Sequence, residues 1–209
     1  MKKITILILS VLFTLTTSAF AGGMIGVKYG KGDLDGNAKS YVAGSNTYAA
    51  QSGSKDSEFG AIFAEINIME SPISVGVEYV PLDADISLDG HQANVSANVS
   101  DYTTLYALAM HDLTNFSVYA KLGYSMADIA TIKTGGTVIN SQSDSLEGMM
   151  YGVGVQTQEL PFGLVARAEY TFTEFDDISV TTTSNGSAAV KKTADGDLTT
   201  LTISLAKSF

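Results

Sequence analysis

The sequence predicts an all-β fold, eight antiparallel strands running up-and-down and closed into a transmembrane β-barrel. Three observations predict it. Eight segments alternate apolar with small or polar side chains, each close to the ~10 residues that a tilted strand needs to cross a bilayer. Their connections alternate short and long, as tight turns on one side and large loops on the other require. Beyond Ala21 no apolar run approaches the ~20 residues of a spanning helix. A soluble sandwich also alternates, but it would have to cover aromatic and methionine faces on nearly every strand, and it gives no reason for the short-long rhythm.

The chain opens with Met1-Lys2-Lys3, an apolar stretch from Ile4 to Leu15, and Ala19-Phe20-Ala21. A charged start, a short apolar core and an A-x-A end make a secretory signal peptide, so residues 1–21 are expected to be cleaved after Ala21. Residues 22–209 then form one barrel domain. There is no cysteine, hence neither a disulfide nor a lipid attachment site. The formal charge is −10, and losing Lys2 and Lys3 makes it two units more negative, which excludes nucleic acid as a partner.

In order, the first strand is expected over Met24–Lys31, with Ile25, Val27 and Tyr29 outward and Lys28 inward. A Gly/Ser/Asn-rich external loop follows from Gly32 to Ser57. The second strand, Phe59–Ile68, turns Glu65 inward; the third, Ile73–Val80, does the same with Glu78. Ile86 and Leu88, then Val95 and Val99, alternate around Asp89-Gly90 and predict a hairpin above the membrane. The fourth strand, Asp101–Met110, is assigned with Tyr102, Tyr106, Leu108 and Met110 outward and Leu105 inward. It returns through a turn from His111 to Asn115.

The fifth strand, from Phe116, brings Lys121 inward and leads to a loop over Asp128–Ser145. The sixth, Leu146–Gln156, faces Gly148, Gly152 and Gly154 inward. After a turn over Thr157–Pro161, the seventh strand, Phe162–Thr173, carries Arg167 and Glu169 inward. A loop with Asn185-Gly186 at its tip leads to the closing strand. There Leu201, Ile203, Leu205 and Phe209 share one face, and Thr200, Thr202, Ser204 and Ala206 share the other.

An amphipathic closing strand ending in Phe209 resembles the assembly signal of bacterial outer-membrane barrels; Lys207 is its one departure. Signal peptide, strand rhythm and terminus together make residues 22–209 resemble the small eight-stranded outer-membrane barrels: the OmpA-type transmembrane domain, OmpX and Ail, and the opacity-type adhesins. The resemblance implies a bacterial outer-membrane location, the barrel assembly machinery as a partner, lipid and lipopolysaccharide around the wall, and a monomer whose loops meet extracellular ligands.

The inward faces collect Lys28, Glu65, Glu78, Lys121, Arg167 and Glu169, three cations and three anions. Buried charges are tolerable only when paired. Two readings follow: side chains that fill the bore, as a barrel of this size allows, or a narrow ion path gated by exchange of partners. The resemblance implies such an interior salt-bridge cluster in kind, without the pairing.

No enzyme is expected. His91 beside Asp89 is the sole candidate for rim catalysis of the lipid-modifying type, and His111 lies at the other end. Asp33-Leu-Asp35-Gly-Asn37 lacks the spacing and terminal Glu of a calcium loop, so neither metal nor cofactor is expected. Most of the acidic surplus falls in the long loops, which points to a structural and surface-interaction role.

Overall fold

The computed structural model describes residues 20–43, 45–68, 71–81, 84–88, 95–134, 137–140, 144–182 and 190–209. Among the described residues there are twelve strands: β1 Phe20–Ala38, β2 Tyr41–Ala43, β3 Asn46–Tyr48, β4 Gln51–Ile68, β5 Ile73–Val80, β6 Ala84–Leu88, β7 Val95–Asp112, β8 Phe116–Thr134, β9 Thr137–Asn140, β10 Asp144–Thr157, β11 Leu164–Thr182 and β12 Val190–Ser208. Eight of them are staves of one closed antiparallel barrel, in the order β1-β4-β5-β7-β8-β10-β11-β12 and back to β1. β6 lies on β7 above the end of β5, β9 lies on β8, and β2 and β3 form a separate small hairpin. The fold is the eight-stranded up-and-down barrel that the alternation predicts.

The β1–β12 ladder closes the barrel and extends to Phe209. Phe209 N–H donates to the Gly23 carbonyl and Gly23 N–H to the Phe209 carbonyl, both at 3.0 Å. Outward side chains form an apolar belt in which Val27 is 60% exposed, Val153 61%, and Leu201 and Ile203 63% each. In water each would forgo roughly 1.5–3 kcal/mol of burial; in lipid that cost vanishes. Tyr29, Tyr124, Tyr151 and Tyr170 lie toward the long-hairpin end of the belt, and the Tyr29 and Tyr124 hydroxyls donate to Glu58 and Glu147 at 2.7 and 2.6 Å. Amphipathic rings with polar tips suit the membrane–water boundary.

The structure corrects the fourth strand. Tyr106 and Leu108 are buried in the lumen, and Leu105, at 37% exposure, looks outward between Val77 and Tyr124. Two features set this facing. The register of β7 against β8 shifts between Ser100 and Thr103, where Asp101 takes a left-handed backbone (φ 55). Tyr106 is also paired with Gly76 on one side and Gly123 on the other, and a Cβ at Gly76 would come within 2.5 Å of its ring. Gly76 on β5 thus leaves the space that the ring fills.

The strands are also longer than expected. β1 and β4 stay paired as far as Ala38↔Gln51, and β11 and β12 as far as Thr182↔Val190, so much of the first and last external loops is ladder. Above the membrane both sheet faces meet water, and the apolar alternation that marks a strand disappears there. Asp33, Asp35 and Asn37 lie within this ladder, Asp33 opposite Asp56 and Asp35 opposite Asp197. β7 continues through His111 to Asp112, and β11 begins at Leu164, because Pro161–Gly163 form a 3₁₀ turn with Phe162 at φ 67.

If Tyr106 fills the space over Gly76, Gly76→Val should lower stability by ~1–3 kcal/mol through overpacking. Gly60→Ala, whose nearest neighbour is the Lys28 carbonyl oxygen at 3.8 Å, should change it by no more than ~0.5 kcal/mol. Urea unfolding midpoints in lipid vesicles read both; the reverse order would contradict the inward placement of Tyr106.

Candidate functional site: the charged lumen

Strand parity brings the six inward charges into one layer from β1, β4, β5, β8 and β11. None is more than 8% exposed. Lys28 Nζ lies 2.6 Å from Glu78 Oε2 and 2.7 Å from Glu169 Oε1, and Lys121 Nζ lies 3.0 Å from each of the same two atoms. The four groups form a ring of alternating charge in which each ammonium serves two carboxylates. Arg167 meets Glu65 with both terminal nitrogens, Nη1 to Oε2 at 2.8 Å and Nη2 to Oε1 at 3.0 Å, and its Nε donates to Gln156 Oε1 at 2.6 Å.

Aromatic rings complete the layer. The Tyr106 hydroxyl donates to Glu65 at 3.2 Å and the Tyr119 hydroxyl to Glu169 at 3.1 Å. Lys121 Nζ stands 4.0 Å from the centre of the Tyr106 ring, and the Arg167 guanidinium 5.3 Å from that of Tyr119. A Cβ on Gly154 would overlap the Tyr119 ring, so this glycine of β10 leaves the space that ring occupies. Burying an ion costs several kcal/mol unless partners satisfy it, and here each carboxylate accepts from at least two donors.

Toward the long hairpins, hydroxyls pair with one another. Thr171 and Thr200 are 2.6 Å apart, Thr104 and Ser125 2.9 Å, and Tyr102 donates to Ser125 at 3.0 Å. On the short-turn side Met24, Phe63 and Ala206 pack together. Thr202 Oγ1 is the one buried side-chain oxygen or nitrogen without a hydrogen-bond partner among the described residues. It lies on the strand position between Gly30 and Glu169.

Tyr106, Tyr119 and Gln156 belong to this layer and were absent from the six charges collected by sequence. Parity alone places Tyr119 and Gln156 inward, whereas Tyr106 needed the glycines on its neighbours as the signal. Elsewhere, Leu201, Ile203, Leu205 and Phe209 lie on the belt face, and Phe209 is 73% exposed. His111 is exposed at the short-turn end of β7. His91 and Ala19 lie outside the described residues, and Ala21 lies in β1. No group of three or more His, Cys, Asp or Glu among the described residues is arranged to hold a metal ion.

Outside the belt, Lys39 Nζ pairs with Asp177 at 2.6 Å and Asp195 at 3.6 Å. Its hydrogen bond to Asp177 holds the amine above the usual lysine range. Asp33, partly dehydrated and close to Asp35 and Asp56, is held above the usual carboxylate range.

The family model of the outer membrane protein beta-barrel domain matches residues 5–209. The chain belongs to that family. This outer-membrane β-barrel is similar to OprG from Pseudomonas aeruginosa, with 13% identity and a TM-score of 0.62 over 91% of this chain and 97% of that one. It is also similar to the outer membrane protease OmpT from Escherichia coli, with 10% identity and a TM-score of 0.50 over 95% and 100% of the two chains. Ail of Yersinia pestis, solved with the heparin analogue sucrose octasulfate, gives 13% identity and a TM-score of 0.48 over 90% and 99%. At such identities the likenesses show the fold alone. Among curated proteins nothing matches. The family fixes the location of this β-barrel as the bacterial outer membrane.

Removing one member of a buried pair strands the other. Arg167→Ala should therefore lose ~3–5 kcal/mol of unfolding free energy. Arg167→Met combined with Glu65→Leu should recover most of that loss in the same urea titration. A double variant as unstable as Arg167→Ala would contradict the pairing.

Proposed function

We propose that this outer-membrane β-barrel is a non-enzymatic structural and surface-interaction protein, exported by a leader cleaved after Ala21 and working as a monomer. Its lumen is closed by the charge layer, and its extended hairpins meet lipopolysaccharide and extracellular partners. The observation that carries the reading is the six-charge layer, in which every charge is buried and ion-paired within a bore crossed by two tyrosine rings. Such a bore offers an ion no site that is not already taken. The staves, meanwhile, continue past the tyrosines as ladders rich in Asp, Ser and Thr, which is surface built for water and polar partners.

A second reading, a narrow gated ion path, is favoured by one specific feature. Lys28 and Lys121 share the same two carboxylates, so partners can exchange at small cost, and Thr202 keeps an unsatisfied hydroxyl beside them.

Recording from the refolded chain in a planar bilayer separates the two. The closed-lumen reading expects no discrete current steps, with folding shown by a heat-dependent shift in gel mobility. It also expects detergent sensitivity of the envelope when the β1–β4 and β11–β12 extensions are cut back to short turns. Discrete steps that Arg167→Ala alters would move the function to a gated path. Trimmed hairpins with an unchanged envelope and unchanged surface binding would sink the surface role.

A further inference from the structure

Beyond the tyrosines the barrel wall parts. β10 pairs with β11 only from Gly148↔Phe175 to Gln156↔Arg167. Further out β10 follows β8 from Asp144, and β11 follows β12 as far as Thr182. Among the described residues, the edges of Asp144–Glu147 and Ile178–Thr182 that face this fork have no strand partner. The parting begins at a bulge, where the β11–β12 register shifts between Phe175 and Ile178 and leaves Asp176 and Asp177 outside the ladder. Between the arms lies a polar cleft of ≈ 300 Å³ lined by Ser145, Glu147, Asp176, Asp177, Ile178 and Ser179.

The backbone of β11 offers hydrogen bonds into this cleft. Lys39 N–H donates to the Thr193 carbonyl at 2.9 Å, so the polar backbone groups of Thr193 point toward β1. In an antiparallel pair such groups alternate sides. Ser179, opposite Thr193, therefore forms a non-hydrogen-bonded pair with it and aims its own N–H and C=O at the fork. The close approach expected of such a pair is present: the two hydroxyls are 3.1 Å apart. Thr181, two residues on, repeats the orientation.

Proteins guard open edges with lysine or proline. β4 pairs with β5 only from Ile62 to Asn67, and the stretch beyond, paired on one side with β1, carries Lys55, whereas Asp176–Thr182 holds neither residue type. Among the described side chains lining the fork, those that carry charge are carboxylates. Glu147 accepts from the Tyr124 and Ser145 hydroxyls, Asp177 is bound by Lys39, and Asp176 stands beside them.

We propose that the edge of β11 left without a described strand partner at this fork binds an extended basic peptide segment as an added strand, with its cationic side chains met by Glu147 and Asp176. Backbone pairing along Ser179 and Thr181 supplies the strand geometry, and the carboxylates select the sign of the partner. The inference deepens the surface-interaction reading and rests on it.

The test uses the refolded full chain and a fluorescent decapeptide of alternating lysine and valine. A lysine–proline decapeptide of equal charge, unable to join a ladder, is the control. Fluorescence anisotropy should show binding of the first and at least about tenfold weaker binding of the second. Ser179→Pro removes the edge donor and spares the ladder to β12, so it should weaken the lysine–valine peptide by a similar factor. Asp176→Asn with Glu147→Gln should weaken it and flatten its salt dependence. Folding of each variant is checked by the gel-mobility shift. Equal binding of both peptides, or indifference to Ser179→Pro, overturns the proposal. If that binding still disappears when all hairpins are trimmed, the surface role survives without the fork; if trimming also changes nothing, both fall.

Discussion

The pairing of six buried charges inside the barrel is the constraint on which the rest of this structure depends. Lipid outside the wall requires apolar side chains on one face of every stave, so the polar members of each strand have nowhere to go but inward. Once inside, Lys28, Lys121 and Arg167 must each find carboxylates from strands far away in the chain. Glu78 and Glu169 reach both lysines, and Glu65 takes the arginine. A slip of one residue in any of these strands would carry a charge into lipid and leave its partner unpaired. The network therefore fixes register across the barrel as well as neutralising itself.

Glycine placement follows from the same constraint. Long charged side chains and two tyrosine rings fit one layer only if other inward positions are empty, and Gly76 beside Tyr106 and Gly154 beside Tyr119 are such positions. Seen this way, the ring of Tyr106 is part of the charge chemistry. It donates to Glu65 and lies against the Lys121 ammonium, so one ring serves two charges.

Much of this was readable in the sequence, because a wall one residue thick, with lipid on one side and charge on the other, prints its period directly on the chain. Lys28, Glu65, Glu78, Lys121, Arg167 and Glu169 follow from counting by twos. β7 was misread because its two faces are nearly equal in hydropathy: tyrosines and leucine inward, leucine and alanines outward. Only its neighbours' glycines and the bulge at Asp101 decide between them. The hairpin extensions escaped because solvent on both sides erases the period. Which lysine meets which glutamate depends on cross-strand register and stagger, which no single strand encodes.

The shared lysines are the most exacting feature of the structure, since two ammonium groups are held on the same two carboxylate oxygens. The direct measurement is nitrogen–proton correlation NMR of the Lys28 and Lys121 ammonium groups in the refolded barrel at neutral pH. Ammonium protons bound to two buried carboxylates exchange slowly with water. Both resonances should be visible at room temperature, and Glu78→Gln should shift them together. Resonances lost to rapid exchange, or one lysine unmoved by Glu78→Gln, would contradict this sharing.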